Sequence, residues 1–463
     1  MSSDKYRVDM CSGPLFRKIV IYTLPLMATV VLQNIFSAAD LIVVGRYATY
    51  KDVAAVGSCL PVCSLIINIF FGISVGAGVL VANAVGAKDG RRISRSLHTA
   101  MLFAASGGIF LMVSGGIAAY PLLKLMDTPD DVIRGAMWYM FIYSLGIPAL
   151  SLYGYGSAIM RAMGDTRRPL IYLIFSGIIN VVLNFVLVVF FNLGVIGVAV
   201  ATVVSFGISA VLIIRAMMNM RGAFQLKIDL LKIDRPTLFE MLRIGLPAGI
   251  NGSAFAITNF IIQGAINSFG SAAMAGSAAV VNVECIIWAL VFSITQTATN
   301  FASQNVGAGN YPRVKRSAFY CAGSSAVIVG IVGILCCVFG EKLIGICSSD
   351  AEVIRWGMQR GVVVFLSYCL CGIMESINGT LRGMGYSFEP MLFSIFGVCI
   401  VRIMWVWLVF PLCRSVSVLM LSYPVSYIIT IMFAGTYLHR AFRKHIPDVK
   451  SKYATLAGAA HAE

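Results

Sequence analysis

Four charged side chains lie within long apolar stretches of the sequence: Asp40, Glu284, Glu375 and Arg402. A charge at the centre of a lipid bilayer costs about 2.5–3.5 kcal/mol on insertion scales, so such groups commonly face an interior cavity and serve a function. Asp40 is the strongest candidate. It lies close to Arg46, about 9 Å from the end of its apolar stretch at the rise of an α-helix.

Three apolar stretches carry polar side chains at helical spacing, so that each stretch would present one polar face. These residues are Gln33, Ser37 and Asp40 in one stretch, Ser176, Asn180 and Asn184 in another, and Thr202, Ser205 and Ser209 in the next. If the faces converge, they surround one carboxylate with neutral oxygen ligands, which suits a hard monovalent cation. Alternatively, burial favours the neutral carboxyl group, which then takes up a proton. A structural role for Asn180, Asn184 and Thr202 stays open, because interhelical hydrogen bonds in membranes contribute only about 0.6 kcal/mol each.

The charges in the second half of the chain admit two hypotheses. In the first, Glu284 and Glu375 form an acidic cavity wall that attracts cationic compounds. In the second, a Glu–Arg pair that involves a residue such as Arg402 holds neighbouring helices together. Two further residues, Pro25 and Pro247, are expected to kink their helices and to act as hinges.

The composition defines the class of protein in which these residues act. The chain has 463 residues, of which 59% are hydrophobic and 12% charged, whereas soluble proteins contain about 25% charged residues. A soluble enzyme, a disordered chain and a secreted disulfide scaffold are therefore excluded, and an integral membrane protein remains. The 12 cysteines include no CxxC pair, and we interpret them as small packing residues.

The apolar stretches predict an all-α polytopic membrane protein. A helix needs about 20 apolar residues to cross the bilayer. Only helices fit, because strand alternation is absent from the sequence and lipid requires internal pairing of all backbone polar groups. The predicted spans are 19–45, 53–87, 96–123, 135–160, two within 169–214 that separate at 192–194, two within 244–312 that separate near 268–270, then 317–340, 361–381, 390–413 and 415–439. This gives twelve transmembrane helices.

The distribution of Lys and Arg predicts the orientation. With the N-terminus in the cytoplasm, 26 of these residues fall in cytoplasmic segments and 8 in outer segments, Arg360 among the latter. Cytoplasmic loops are rich in Lys and Arg, so both termini are expected in the cytoplasm. The net charge of +15 follows from this topology and does not indicate a nucleic-acid partner. The first apolar stretch is interpreted as a retained span, because no small-residue cleavage site follows it.

The sequence repeats itself. The run Arg161-Ala-Met-Gly164 followed by Pro169 recurs as Arg382-Gly-Met-Gly385 followed by Pro390, a separation of 221 residues. Spans 1–6 and 7–12 are therefore two copies of one six-helix unit in the same orientation, with a functional site expected between them. The predicted organisation is an N-terminal segment 1–16, a first lobe 17–217, a linker 218–240, a second lobe 241–439 and a tail 440–463, disordered over 446–463. Such repeats are typical of carriers.

Several catalytic signatures are missing from the sequence. It contains no G-x-x-x-x-G-K-[S/T] loop, no HExxH run and no Ser-His-Asp constellation. We therefore expect that the protein is not an enzyme. A polytopic membrane enzyme that uses Glu284 or Glu375 is the alternative from another class, and the internal repeat argues against it.

Four local motifs together resemble a known family. They are Leu24-Pro25 with the later Asp40, Gly86-Ala-Lys-Asp89, Arg161-Ala-Met-Gly-Asp165 and Gln304-Asn-Val-Gly-Ala-Gly309. Their order and the 6+6 repeat resemble the MATE family (multidrug and toxic compound extrusion), in its prokaryotic DinF-like and NorM-like branches. The sequence departs from the family in two places. Asn184 stands where members often have Asp, and the turn Ala254-Phe255-Ala256 lacks the glutamate of NorM-like members.

The resemblance implies a V-shaped, two-lobed carrier that exports organic cations or amphipathic drugs by alternating access. Export would be an antiport driven by H⁺ or Na⁺, with no other cofactor. By position, Asp40, Asn180, Asn184 and Thr202 are similar to the family's coupling-cation site, with Na⁺ as the possible metal. Asn184 stands where family members often have a carboxylate, and this favours H⁺ slightly over Na⁺ as the coupling ion. The expected location is the plasma (inner) membrane of a prokaryote, and a monomer is expected. The alternative within the superfamily is a flippase-type carrier of lipid-linked or anionic cargo.

Overall fold

Twelve long helices make up most of the computed structural model, which describes residues 7–125 and 129–445. They are α1 (Leu15–Tyr47), α2 (Tyr50–Gly86), α3 (Gly90–Leu125), α4 (Asp130–Ala162), α5 (Arg167–Phe190), α6 (Gly194–Met218), α7 (Arg235–Asn267), α8 (Ser271–Gly307), α9 (Tyr311–Val338), α10 (Ala351–Gly383), α11 (Phe388–Val409) and α12 (Val416–His445). A short helix, Gly340–Gly345, follows α9. The described residues contain no strand, so the predicted all-α fold is confirmed.

Length and hydropathy identify a multi-pass membrane protein. Ten of the helices in the described part of the chain are long and apolar enough to cross a membrane, and α2 contains the shorter apolar stretch Phe70–Gly86. The last helix reaches His445, so residues 440–445 continue α12 and are not part of a tail. The predicted disorder of 446–463 concerns residues outside the described ranges.

The breaks between helices occur where the sequence predicts them. Asn192 and Gly194 have φ values of 51° between α5 and α6, and Gly270 has a φ of 98° between α7 and α8. Positive φ values cost little at Gly and are tolerated by Asn, so these residues end a helix and reverse the chain. At the start of α2, Thr49 and Asp52 form a capping box, which satisfies two otherwise unpaired backbone N–H groups.

Two helices contain π-helical turns. In α5 the residues Val186–Phe190 are π-helical, and in α11 the π-helical segments Ile395–Ile400 and Trp405–Val409 flank the short α-helical segment Val401–Met404. Such turns are rare, and they occur frequently at functional sites. They lie beside the polar residues of α5 and beside Arg402.

The chain forms two compact units. Among the described residues, the first contains 7–10, 17–125 and 129–256, and the second contains 11–16 and 257–445. The boundary therefore falls inside α7, whereas the sequence placed it at 218–240. Glycines explain why the first half of α7 belongs to the first unit. A Cβ on Gly72 of α2 would lie 2.2 Å from Gly249 Cα, and one on Gly76 would lie 2.3 Å from the Met241 carbonyl oxygen. The backbones pack directly against each other.

Each unit has its own apolar core. In the first unit, α2, α3, α4 and α6 bury a cluster that includes Leu80, Leu97, Ile159 and Ile213, and residues around Cys59 and Val198 form a second cluster. In the second unit, α8, α9, α10 and α12 contribute Ala302, Val314, Leu381 and Ala434 to a cluster. Since lipid removes most of the hydrophobic driving force between membrane helices, close packing of small residues holds such cores together.

Candidate functional site: a polar cavity in the first unit

The three polar faces from the sequence line one cavity inside the first unit. Its volume is about 350 Å³. The polar residues that line it are Gln33, Ser37 and Asp40 of α1, Ser176 and Asn180 of α5, and Thr202, Ser205 and Ser209 of α6. The helical spacing of these residues places them on the inward sides of their helices, and packing of α1, α5 and α6 brings the three sides together.

Asp40 belongs to a chain of hydrogen bonds that links α1 to α5. Asn184 Nδ2 donates to Asp40 Oδ1 over 2.5 Å and lies 3.3 Å from Asn180 Oδ1, a second acceptor. Asn184 is 0% exposed, and its Oδ1 is buried without a hydrogen-bond partner. A charge-assisted hydrogen bond is roughly twice as strong as a neutral one, so this link between the two helices is stronger while Asp40 is ionised.

The hydroxyl groups of α6 complete the polar lining. Thr202 Oγ1 donates to the Val198 carbonyl oxygen over 2.9 Å, which keeps its lone pairs available as acceptors. Ser209 Oγ lies 2.7 Å from Ser176 Oγ and thereby joins α6 to α5. The cavity therefore offers hydroxyl and amide oxygens around a single carboxylate.

The orientation of the Asn184 amide bears on which cation could bind beside Asp40. The Asn184 amide presents an N–H group to Asp40, and a donor at that position competes with a cation. For Asn184 Oδ1 to bind a cation beside Asp40, the amide would have to turn over, and amide orientation follows the hydrogen-bond network. A proton on Asp40 needs no second ligand. In the described residues, no group of three or more His, Cys, Asp or Glu side chains could hold a metal ion.

Sequence reasoning missed the contribution of α4. Tyr139, Tyr143 and Tyr153 line the same cavity. The rings of Tyr139 and Tyr143 stack with their centroids 5.9 Å apart, and Tyr143 meets Phe206 edge-on at 6.0 Å. These tyrosines lie on one side of α4, and their helical spacing in the sequence could have indicated that α4 lines the cavity. Aromatic faces attract organic cations, so these rings extend the range of compounds that the cavity could hold.

A glycine shapes the cavity beside Ser176. A Cβ on Gly177 would lie 2.0 Å from Cε2 of Phe36, whose ring packs over this position. Phe36 and Gly177 both line the cavity. The absence of a side chain at Gly177 therefore lets the α1 ring cover α5, and this requirement could not be recognised from spacing alone.

In the second unit, both acidic residues are paired with arginines. Glu284 Oε1 of α8 accepts from Arg360 Nη2 of α10 over 2.8 Å, and Glu375 Oε2 accepts from Arg382 Nη2 over 2.9 Å. The sequence placed Arg360 in an outer segment. The structure instead places it inside α10, only 4% exposed, because it faces Glu284 and Ser277 of α8.

Arg402 is the third of the charged residues that the sequence places within apolar stretches of the second half of the chain. It is 1% exposed, and its guanidinium lies over the rings of Tyr423 and Tyr427, at 3.8 and 4.9 Å from their centroids. Its Nε donates to Ser426 Oγ over 3.0 Å. Neither Glu284 nor Glu375 forms an ion pair with it in the described residues.

The two prolines expected to act as hinges lie within continuous helices. Pro25 is in α1 and Pro247 is in α7. Proline removes a helical hydrogen bond and weakens the helix locally. Movement about either residue stays a prediction.

The fold and the cavity define a multi-pass membrane carrier built from two copies of one unit. A family model named MatE matches the chain twice, at residues 25–186 and 247–408. The protein therefore belongs to the MatE family, whose members are transporters. The two matches coincide with the internal repeat read from the sequence, and the resemblance to this family is confirmed.

Individual relatives agree with this assignment. The chain is 29% identical over 429 residues to "Probable multidrug resistance protein YoeA" of Bacillus subtilis (strain 168), covering 88% of this chain and 92% of that protein. It is 25% identical over 379 residues to an "FAD transporter" of Shewanella oneidensis, covering 80% of this chain and 82% of that protein. Its fold matches "Crystal structure of MATE in complex with MaL6" with a TM-score of 0.89 at 16% identity, over 96% of this chain and 99% of that chain.

Proposed function

We propose that this protein is a cation-coupled antiporter that exports organic cations and amphipathic drugs by alternating access. The hydrogen bond from Asn184 to Asp40, a carboxylate that lines the polar cavity, is the observation that carries the proposal. The similarity to proteins named multidrug resistance proteins supports drug efflux. We further propose that the protein acts as a monomer in the inner membrane of a bacterium, with both termini in the cytoplasm.

Protonation of Asp40 is the proposed coupling step. The negative carboxylate accepts a strong hydrogen bond from Asn184, and neutralisation weakens that bond. The attachment of α1 to α5 then loosens, and the affinity of the cavity for a cationic compound falls because the opposing charge is gone. A coupling ion can shift a carrier between two states only if it binds them differently. The charge of Asp40 supplies this difference.

Sodium is the second candidate coupling ion. Asp40, Asn180, Asn184 and Thr202 supply one carboxylate, two amide oxygens and one hydroxyl. The unpartnered Oδ1 of Asn184 supports a place for a cation, whereas the Asn184 N–H group on Asp40 supports a proton. We favour the proton for this reason.

Transport in proteoliposomes tests the proposal. Wild-type protein should move ethidium against its gradient when a pH gradient is imposed, and Asp40→Asn should abolish this movement. Asp229→Asn is the matched control, because Asp229 is an exposed acid in the segment between α6 and α7. A sodium gradient imposed in place of the pH gradient distinguishes the two ions. Coupled transport by Asp40→Asn at the wild-type rate would overturn the role of Asp40.

A second candidate function is transport of an anionic compound. It is supported by the relative named an FAD transporter and by the buried arginine Arg402 of the second unit. Uptake of FAD by the same proteoliposomes, with no movement of ethidium, would favour this candidate.

A further inference from the structure

The second unit contains a polar cluster at the position that corresponds to the first-unit cavity. The repeat relates Arg161 to Arg382, a separation of 221 residues. The same separation relates Tyr139, Thr202, Ser205 and Phe206, which line the cavity, to Arg360, Tyr423, Ser426 and Tyr427. These four residues surround or lie near Arg402, and Arg402 itself corresponds to Val181, one residue after Asn180. The two repeats thus build a polar cluster at the same place in their own unit.

The cluster in the second unit has the opposite charge. Near the start of the repeat the separation is 222 residues, so Asp40 aligns with the apolar residue Ile262 and its carboxylate has no counterpart. Arg402 and Arg360 introduce two guanidinium groups, and Glu284 interacts electrostatically with both of them. Since Glu284 pairs directly with Arg360, one positive charge in this cluster remains uncompensated. A buried charge without a counter-charge is costly in a membrane.

The two arginines retain unused hydrogen-bond donors. Arg402 Nη2 and Arg360 Nε are both buried and have no hydrogen-bond partner. Both guanidinium groups interact electrostatically with Tyr423 as well as with Glu284, so they belong to one cluster. Buried polar groups in folded proteins are almost always paired, and an unpaired charged donor is an exception that calls for an acceptor.

The backbone around Arg402 is adapted to change. Its α-helical segment, Val401–Met404, is only 4 residues long and lies between two π-helical segments. Conversion between π-helical and α-helical turns shifts the residues that follow, and such turns mark functional positions in other helices. An approaching ligand could therefore reach a side chain that is buried in the present state.

We propose that the Arg402 cluster, defined as Arg402, Arg360, Tyr423, Ser426 and Tyr427, binds a monoanionic acidic group, a carboxylate or a phosphate diester. Guanidinium groups match such oxyanions in geometry and charge, and the tyrosine rings hold the guanidinium plane of Arg402 in place. Glu284 restricts the site to a single negative charge. This inference rests on the proposed transport function and assigns the acidic group of a zwitterionic compound to one place, the Arg402 cluster.

A pair of rhodamines tests the inference. One carries a free carboxyl group and is zwitterionic, and the other is its methyl ester and is cationic; the aromatic core is the same. Wild-type proteoliposomes should transport both dyes. Arg402→Gln should transport the acid about tenfold more slowly or worse, since a hydrogen bond to a charged group is lost, and should leave transport of the ester unchanged.

The outcomes separate the inference from the proposed function. An equal loss of both dyes in Arg402→Gln would show a structural role and overturn the acidic-group site. Transport of the ester alone by the wild type would overturn the site and leave cation export intact. Transport of neither dye would overturn both.

A binding measurement in detergent tests the site without transport, which matters if Arg402→Gln does not fold. Fluorescence polarisation of the acid dye with detergent-solubilised wild type and Arg402→Lys should show tighter binding to the wild type, because Lys lacks the planar guanidinium. Competition by inorganic phosphate would identify a site for free anions, and competition by the unlabelled carboxylate compound alone would identify a site for the cargo's own acidic group. Equal binding of acid and ester to the wild type would contradict the proposal.

Discussion

Asn184 donates a 2.5 Å hydrogen bond to Oδ1 of Asp40, although the two residues are 144 positions apart in the chain. The contact joins α1 to α5 through the charge of one carboxylate. It also fixes the orientation of the Asn184 amide, which presents nitrogen to Asp40 and leaves its oxygen unpartnered. The position of a single asparagine therefore influences which cation the cavity can accept.

Replacement of Asn184 by Asp should change the coupling ion. The variant would place two carboxylates side by side, and like charges at this distance favour either a shared proton or a bound cation. We expect transport by Asn184→Asp to become dependent on sodium, as measured by ethidium efflux under a sodium gradient at constant pH. Asn251→Asp, a buried asparagine of α7 outside the cavity lining, is the control. A variant that is driven by a pH gradient alone would contradict this prediction.

Gly177→Ala should distort the cavity. The new Cβ would lie 2.0 Å from the Phe36 ring, so the ring must move, and overpacking of this kind costs about 1–3 kcal/mol. Thermal unfolding in detergent should show a lower midpoint than for Gly207→Ala of α6, whose Cβ would meet nothing within 4 Å. Phe36→Leu in the same chain as Gly177→Ala should restore part of the loss. Equal midpoints for the two alanine variants would argue against the contact.

Arg382→Met should destabilise the second unit, because it leaves Glu375 without its ion-pair partner. Removal of one member of a buried pair costs about 3–5 kcal/mol, whereas replacement of both members can be nearly neutral. The double variant Glu375→Gln with Arg382→Met should therefore unfold close to the wild-type temperature. The comparison is a double-mutant cycle on thermal stability. If the loss of stability in the double variant equals the sum of the losses in the two single variants, loss of the ion pair is not the cause of the destabilisation.

Gly72→Ala should prevent the close approach of α2 and α7. Its Cβ would lie 2.2 Å from Gly249 Cα, and backbone atoms cannot move aside as a flexible side chain does. We expect strong loss of folded protein, measured as the monodisperse fraction on size-exclusion chromatography. The control is Gly252→Ala, in α7 like Gly249. A Cβ at Gly252 would meet nothing within 4 Å, so this variant should fold normally. Normal yield of Gly72→Ala would show that the two helices are further apart.

Asp234 should make the start of α7 sensitive to acid. Hydrogen bonds from the Thr237 hydroxyl and backbone N–H lower the pKa of Asp234 below its ordinary value of 3.8. A lowered pKa means that the stabilisation is fully present above pH 3.8 and is lost as the pH falls through the lowered value. Hydrogen exchange at the first turn of α7 should therefore accelerate only under strong acid. In Asp234→Asn, which retains a capping oxygen, this acid sensitivity should disappear.

The amino-acid sequence by itself determined the class of protein, the helices and the repeat. Long apolar stretches can cross a bilayer only as helices, and helix periodicity is local, so the polar sides of α1, α5 and α6 were readable from spacing. The motif that occurs at both Arg161 and Arg382 indicated that the chain contains two copies of one unit. The breaks at Asn192 and Gly270 followed from residues that tolerate positive φ.

Only the tertiary structure decided which residues meet. The partner of Glu284 is Arg360, which the sequence had assigned to an outer segment, because a charge near the end of an apolar stretch can belong to either side of a helix boundary. The tyrosines of α4, the fit of Phe36 over Gly177 and the turn of the Asn184 amide depend on distances between helices that are far apart in the chain. Local periodicity contains no information on those distances, since packing of the whole unit sets them.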